Sequence, residues 1–293
     1  FYKHVFFRTL SIFLAGTLIH AFPFIQQDWD WSSFRIMGVL QRIALAYGIA
    51  AIMVIHLDLK KIFISALGIL ITYWGLLWIG GGEKPYSLEH NLVRKIDIFL
   101  LGESHLYGGT GIQFDPEGLL STIPSVVTVL IGYLVGSMLH TTKDFLDNVK
   151  RMSTFGIGLI IVGMIWGLLF PINKQLWTSS YVLFTGGIAT LFLCALCFMI
   201  DIKKWKKPLW VFQIFGTNSI FLFVLSGLWT KIILRLRFDL EGQSISGYGY
   251  LYKTLFVPIG GDMFGSFLFA FAHLVGFWLI LLWLYRKKIF INL

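Results

Sequence analysis

The sequence predicts an all-α fold: a polytopic membrane bundle of about eight transmembrane helices, forming one domain over residues 1–293. Two observations predict it. Of the 293 residues, 57% are hydrophobic and only 13% charged, with a mean hydropathy of +0.77, about half the ~25% charge of a soluble domain. The chain also divides into apolar runs of the length a spanning helix needs, about 20 residues.

Those runs lie near 5–22, 36–56, 62–80, 118–140, 154–170, 179–200, 209–230 and 264–285. The first carries Arg8, and the seventh has a polar Thr217-Asn218-Ser219 centre. "GYLVG" at 132–136 and "GMIWG" at 163–167 have the small-xxx-small spacing of close helix contacts. Cys194 and Cys197, the two cysteines, sit inside one apolar run and read as small membrane residues, not as a disulfide framework or a metal pair.

Lysine and arginine mark the orientation, because cytoplasmic flanks hold the excess. Lys3 with Arg8, Lys60-Lys61, Lys143 with Lys150-Arg151, "KKWKK" at 203–207 and "RKK" at 286–288 fall on alternate connections. Eight spans put all of them on one side, with both ends of the chain cytoplasmic. The formal net charge of +9 is then mostly topology and gives no reason to invoke nucleic acid. The connections on the other side, 81–117, 171–177 and 231–263, are chemically richer. A 37-residue loop is too long for a plain connector, so a site is expected to open on this outer face.

Arg42 lies within the second run, seven residues after Arg35. Seven residues are nearly two helical turns, which puts both arginines on one face with Arg42 ~10 Å deeper. Such a charge costs at least ~2.5 kcal/mol and persists where it meets a partner or a wet cavity. Gln41 adjoins it. Further on, "QFDPEGLLSTIPS" at 113–125 carries a helix-start signature: Asp115 as cap, Pro116 at the first position, Glu117 at the positive end of the dipole. In the same layer as Arg42, the two carboxylates are placed to pair with it or to bind an amine. Asn173 and Lys174 in "PINKQLW" suit a turn or a pocket wall, and Asn218 suits interhelical bonding or pocket lining. Among the histidines, His4, His56 and His140 lie at cytoplasmic ends, His273 lies inside the last run, and His20, His90 and His105 lie on the outer side. No nucleophilic triad or metal spacing appears.

Four ordered stretches, "RIMGVLQRIALAY", "GESHLYGGTGIQFDPEGLLSTIPSVV", "PINKQLWTSSYVLF" and "FGTNSIFLFV", resemble the transmembrane acyltransferases related to heparan-α-glucosaminide N-acetyltransferase and their bacterial relatives. The resemblance implies transfer of an acetyl group from acetyl-CoA, as donor substrate, to the amine of a glucosamine-type sugar across the membrane. It also implies that a histidine implicated in transfer stands in spans upstream of Phe1. The chain, which does not begin with methionine, then reads as a member without its N-terminal part.

Arg42, Gln41, Asp115, Glu117, Asn173, Lys174 and Asn218 match the family's recurring polar positions. Asp115 or Glu117 would orient the amine and take its proton, Arg42 or Asn218 would stabilise the oxyanion, and His105 is the histidine nearest this motif. Lys203, Lys204, Lys206 and Lys207 form a candidate patch for the phosphates of CoA. The expected partners are acetyl-CoA, an amino-sugar acceptor and the lipid bilayer; a homo-oligomer is left open. The expected location is a bacterial inner membrane, with a lysosomal membrane as the other choice. The runner-up function is a transporter or flippase for an anionic or sugar-linked substrate, which internal repeats would favour; none is found. A partner-binding scaffold is a third reading.

Overall fold

The computed structural model describes residues 1–24, 30–139, 141–205 and 209–291. Among them, seven helical segments are long and apolar enough to cross a membrane, and an eighth span results if one sharply bent pair is counted together. The protein is an integral membrane helical bundle. The described residues fall into two compact units, one of 1–20 and 30–205, the other of 21–24 and 209–291.

The first unit holds α1 (Tyr2–Ala21), α2 (Val39–His56), α3 (Leu59–Gly80), the short α4 (Leu92–Leu101), α5 (Leu119–Met138), α6 (Phe145–Gly167) and α7 (Ser179–Cys197), which continues as a π-helical turn, Phe198–Ile202. At its centre stands α5, the most enclosed of the spans. Its Val126, Val127, Leu130 and Leu134 meet Ala46 and Ala50 of α2, Ile62 and Leu70 of α3, and Val182 and Leu183 of α7 in one apolar core. Each buried aliphatic side chain of this kind contributes through dense packing, since lipid is as apolar as the core and supplies no hydrophobic contrast.

The closest helix pair is α6 with α7, and glycine explains it. A Cβ on Gly187 would fall 2.5 Å from the Gly156 carbonyl oxygen, and one on Gly163 would fall 2.7 Å from the Phe184 nitrogen. The "GMIWG" spacing therefore packs a helix as expected, through Gly163. "GYLVG" does not: nothing lies within 4 Å of a Cβ on Gly132 or Gly136, and Gly132 borders a cleft instead. The fifth span begins nine residues before the apolar run expected at 154, because the Asp144 carboxylate caps it by accepting from the Leu146 N–H at 2.9 Å. Its first turns carry Lys150 and Arg151, the latter paired with Asp147 one turn earlier at 2.9 Å.

The second unit differs most from the hydropathy pattern. The expected seventh span is broken into α8 (Trp210–Thr217) and α9 (Ser219–Arg235), bent by 77° at Asn218. After a β-hairpin (Arg237–Leu240 paired antiparallel with Gln243–Ser246) come α10 (Gly247–Leu251), a π-helical turn (Tyr252–Phe256) and α11 (Val257–Arg286). The last helix is interrupted at Gly260 and Gly261. Gly261 has φ +73° and ψ −174°, a conformation open essentially to glycine alone. The segment before the break folds back on α11: the Phe256 ring lies 5.3 Å from that of Phe269, and a Cβ on Gly265 would sit 2.8 Å from the Phe256 carbonyl oxygen.

Candidate functional site

Arg42, Asp115 and Glu117 lie close together in the first unit, joined by Arg35, but with partners other than those expected. They lie where the N-termini of α2, α5 and α7 meet the C-terminal half of α3. Arg35, just before α2, makes the ion pairs: its Nε and Nη2 donate to the two oxygens of Asp115 at 2.9 and 2.8 Å, and Nη2 also reaches Glu117 Oε2 at 2.9 Å. This fork-to-fork geometry is the strong form of an arginine–carboxylate contact. Burial lowers the Arg35 pKa, but the two carboxylates outweigh it and the net shift is upward.

Neither carboxylate pairs with Arg42, contrary to the expectation, because its side chain points past them to the first turn of α5. There its Nη2 donates to the Pro116 carbonyl and to Ser121 Oγ. The guanidinium stacks 4.7 Å from the Trp177 ring. Arg42 is only 4% exposed, and its Nε and Nη1 have no hydrogen-bond partner. Trp177 holds its place with a left-handed backbone, φ +50°, and its indole N–H donates to Thr128 Oγ1 at 3.2 Å. Strain of that kind persists where surrounding contacts over-determine it. Beside this stack a cleft of about 340 Å³ runs between α5 and α7, with Thr128, Trp177, Tyr181, Thr185 and Thr190 in its wall.

Asp115 does not cap α5. Its oxygens are taken by Arg35 and by the Glu117 N–H at 3.0 Å, and the helix begins later, at Leu119, with Gly118 as its cap residue. The cap comes from elsewhere in the chain. Asp97 of α4, fully buried, accepts from the Leu119 and Leu120 N–H groups at 3.0 and 3.3 Å through Oδ1, while Oδ2 has no partner. A Cβ on Gly118 would overlap that carboxylate. Burial is the main cause that lifts the Asp97 pKa, to about 7, against the pull of the two N–H groups. Sequence reasoning missed this residue; the available signal was a lone acid within "LVRKIDIFLL", four residues after Val93 and on the same buried face.

Two histidines fix the loop that carries Arg35. His20 Nδ1 lies 3.0 Å from the Arg35 carbonyl oxygen, and His105 Nδ1 lies 2.7 Å from that of Phe34. A carbonyl only accepts, so each ring donates from Nδ1. The Tyr107 ring stacks 4.7 Å from the Arg35 guanidinium. Gln41 packs against Gly16 and Gly38, fully buried and with neither end of its amide bonded. Asn173 serves a turn, its Oδ1 accepting from the Gln175 and Leu176 N–H groups at 2.8 and 3.3 Å, and Lys174 is exposed beside it. The turn is tied to α3 by the Tyr73 hydroxyl, which donates to the Leu176 carbonyl at 2.5 Å.

Asn218 belongs to the second unit and bonds within it. Its Nδ2 donates to the Ile289 carbonyl at 3.1 Å and its Oδ1 accepts from the Ile291 N–H at 2.7 Å. Lys203 and Lys204 follow the π-helical turn; Lys206 and Lys207, like His140, lie outside the described residues.

Two curated proteins are similar to this chain in sequence. Heparan-alpha-glucosaminide N-acetyltransferase of Homo sapiens is 27% identical over 272 residues, 74% of this chain and 40% of that protein. The Mus musculus protein of the same name is 26% identical, over 74% of this chain and 41% of its own length. The chain is related to these acetyltransferases. It spans about two fifths of the length of these N-acetyltransferase relatives. No family model matches the chain.

Proposed function

We propose that the protein is a membrane-bound N-acetyltransferase that moves an acetyl group from acetyl-CoA to the amine of a glucosamine-type sugar. One observation carries the reading beyond relatedness: a buried guanidinium that forms no ion pair among the described residues, with Nε and Nη1 uncommitted, near two carboxylates that Arg35 engages and beside a largely apolar cleft edged by threonine and tyrosine side chains. Attack of an amine on a thioester makes a tetrahedral oxyanion and releases a proton. Uncommitted N–H donors in a dry site are what such an oxyanion needs. The carboxylates differ in availability. Asp115 is wholly enclosed and held by both donors of Arg35, whereas Glu117 keeps one such bond and a side chain 20% exposed. Glu117 is accordingly the group that orients the incoming ammonium and accepts its proton, and Asp115 the one that holds Arg35 rigid.

The test is glucosamine-dependent release of CoA thiol by membranes carrying the intact gene product. Glu117→Gln is expected to lower kcat with the protein still folded, while Asp115→Asn lowers activity through loss of folded protein. A Glu117→Gln enzyme with unchanged kcat contradicts the assignment.

The broken helices favour the transport reading, since discontinuous spans mark many transporter sites. The break at Asn218 argues the other way in its detail, because that side chain is spent on Ile289 and Ile291 and not left for a substrate.

A further inference from the structure

A groove in the second unit is built around a residue that the acyl-transfer reading does not use. It measures about 410 Å³, and its wall includes Trp229 of α9, Leu251 of α10, and Phe256, Phe269, His273 and Phe277. That volume falls within the ~300–1,000 Å³ of ordinary small-molecule sites. His273 is half-buried and wedged among rings: Phe269 at 4.4 Å between ring centres, Tyr248 at 6.1 Å, Trp229 at 6.2 Å and Phe277 at 6.4 Å.

The hydrogen bonding of His273 is one-sided. Its Nδ1 lies 2.9 Å from the Phe269 carbonyl oxygen, so Nδ1 carries the proton. In the neutral ring Nε2 is then a bare acceptor. Of the side chains in the groove wall, only His273 and Trp229 carry polar atoms, and the indole N–H is a donor alone. The groove thus offers one acceptor and one donor on rings 6.2 Å apart, in surroundings where an unmet polar atom is costly. No charged residue lines it. Leu255 and Ile280 of its wall are exposed, so an apolar molecule reaches it from the bilayer.

We propose that this groove binds a membrane-resident alcohol, an apolar chain or ring system whose single hydroxyl donates to His273 Nε2 and accepts from the Trp229 indole N–H. A hydroxyl is the smallest head that meets both atoms. A phosphorylated or ammonium head finds no counter-charge, and a pure hydrocarbon leaves both unmet.

The test uses the purified chain in detergent with a diazirine-bearing dodecanol as photoprobe, the labelled peptides being mapped. Labelling is expected on α9, α10 and α11, and dodecanol should compete about tenfold better than dodecyl methyl ether, which cannot donate to Nε2. His273→Phe should remove that preference with the melting curve unchanged. If this variant does not fold, Trp229→Phe, which keeps an aromatic ring, should weaken dodecanol competition instead. Equal competition by the ether overturns the proposal, as does labelling outside these helices. Dodecanoic acid competing better than dodecanol would assign the groove to a fatty acid and overturn the alcohol.

Discussion

At the scale of single residues, the two arginines divide the work that hydropathy assigned to one. Arg35 is neutralised by Asp115 and Glu117, and Arg42 is held by a carbonyl, a hydroxyl and an indole face. Helical spacing put them on one face, but α2 begins only at Val39 and Arg35 stands in the non-helical segment before it, so the spacing says nothing of which partner the loop 113–118 presents to each.

Asp97 leads to a stability prediction. Its folded pKa of about 7 stands above the ordinary 3.8, so the folded state binds a proton more tightly than the unfolded chain. The resulting stabilisation is complete below pH 3.8 and is lost as pH rises through about 7. Melting temperature in detergent should therefore fall across that window, and Asp97→Asn, whose amide oxygen still accepts from Leu119 and Leu120, should flatten the fall. Asp97→Ala leaves two buried N–H groups unmet and should cost ~1–3 kcal/mol. Gly118→Ala, which drives a methyl into the carboxylate, should destabilise in the same direction. A pH-independent difference between wild type and Asp97→Asn would contradict this reading.

At the scale of elements, long apolar runs were legible because spanning helices must satisfy their backbone internally and so announce themselves by length. What composition could not show is continuity. The run 209–230 carries a polar Thr217-Asn218-Ser219 centre that marks the place of the 77° bend but not the bend itself, because the break is stabilised by the side chain of Asn218 bonding to Ile289 and Ile291, residues some 70 positions away. α4 was missed for the opposite reason: ten residues with two charges in the first half are too short and too polar to read as a span. The site suffered likewise, since Asp115, Glu117 and Arg42 stood out by motif, while Asp97 acts across a loop. Asn218→Leu should remove both bonds of the break and loosen the chain end. Trypsin should then cut faster at Arg286, Lys287 and Lys288 than in wild type, with cleavage at the exposed Lys174 of the first unit unchanged; an unchanged rate at the chain end would show that the break needs no side-chain support.

At the scale of the molecule, the alternating positive flanks imply a sidedness that can be read with thiols. Single cysteines at the exposed positions Glu83 and Gln243 are expected to react with an impermeant reagent from outside the cell, and one at Lys143 only after permeabilisation. Reversal at any of the three would break the eight-span arrangement. The central claim is that Arg42 serves acetyl transfer across the membrane, and sealed inside-out vesicles bearing the intact gene product test it most directly. Labelled acetyl-CoA is supplied outside, glucosamine is trapped inside, and labelled N-acetylglucosamine in the lumen is counted. The account predicts lumenal product with the wild type, a loss of ~10²–10³ in rate for Arg42→Met as for other oxyanion donors, and a smaller loss for Arg42→Lys, all three inserting equally. Arg42→Met matching the wild type, or product formed only outside, would contradict it.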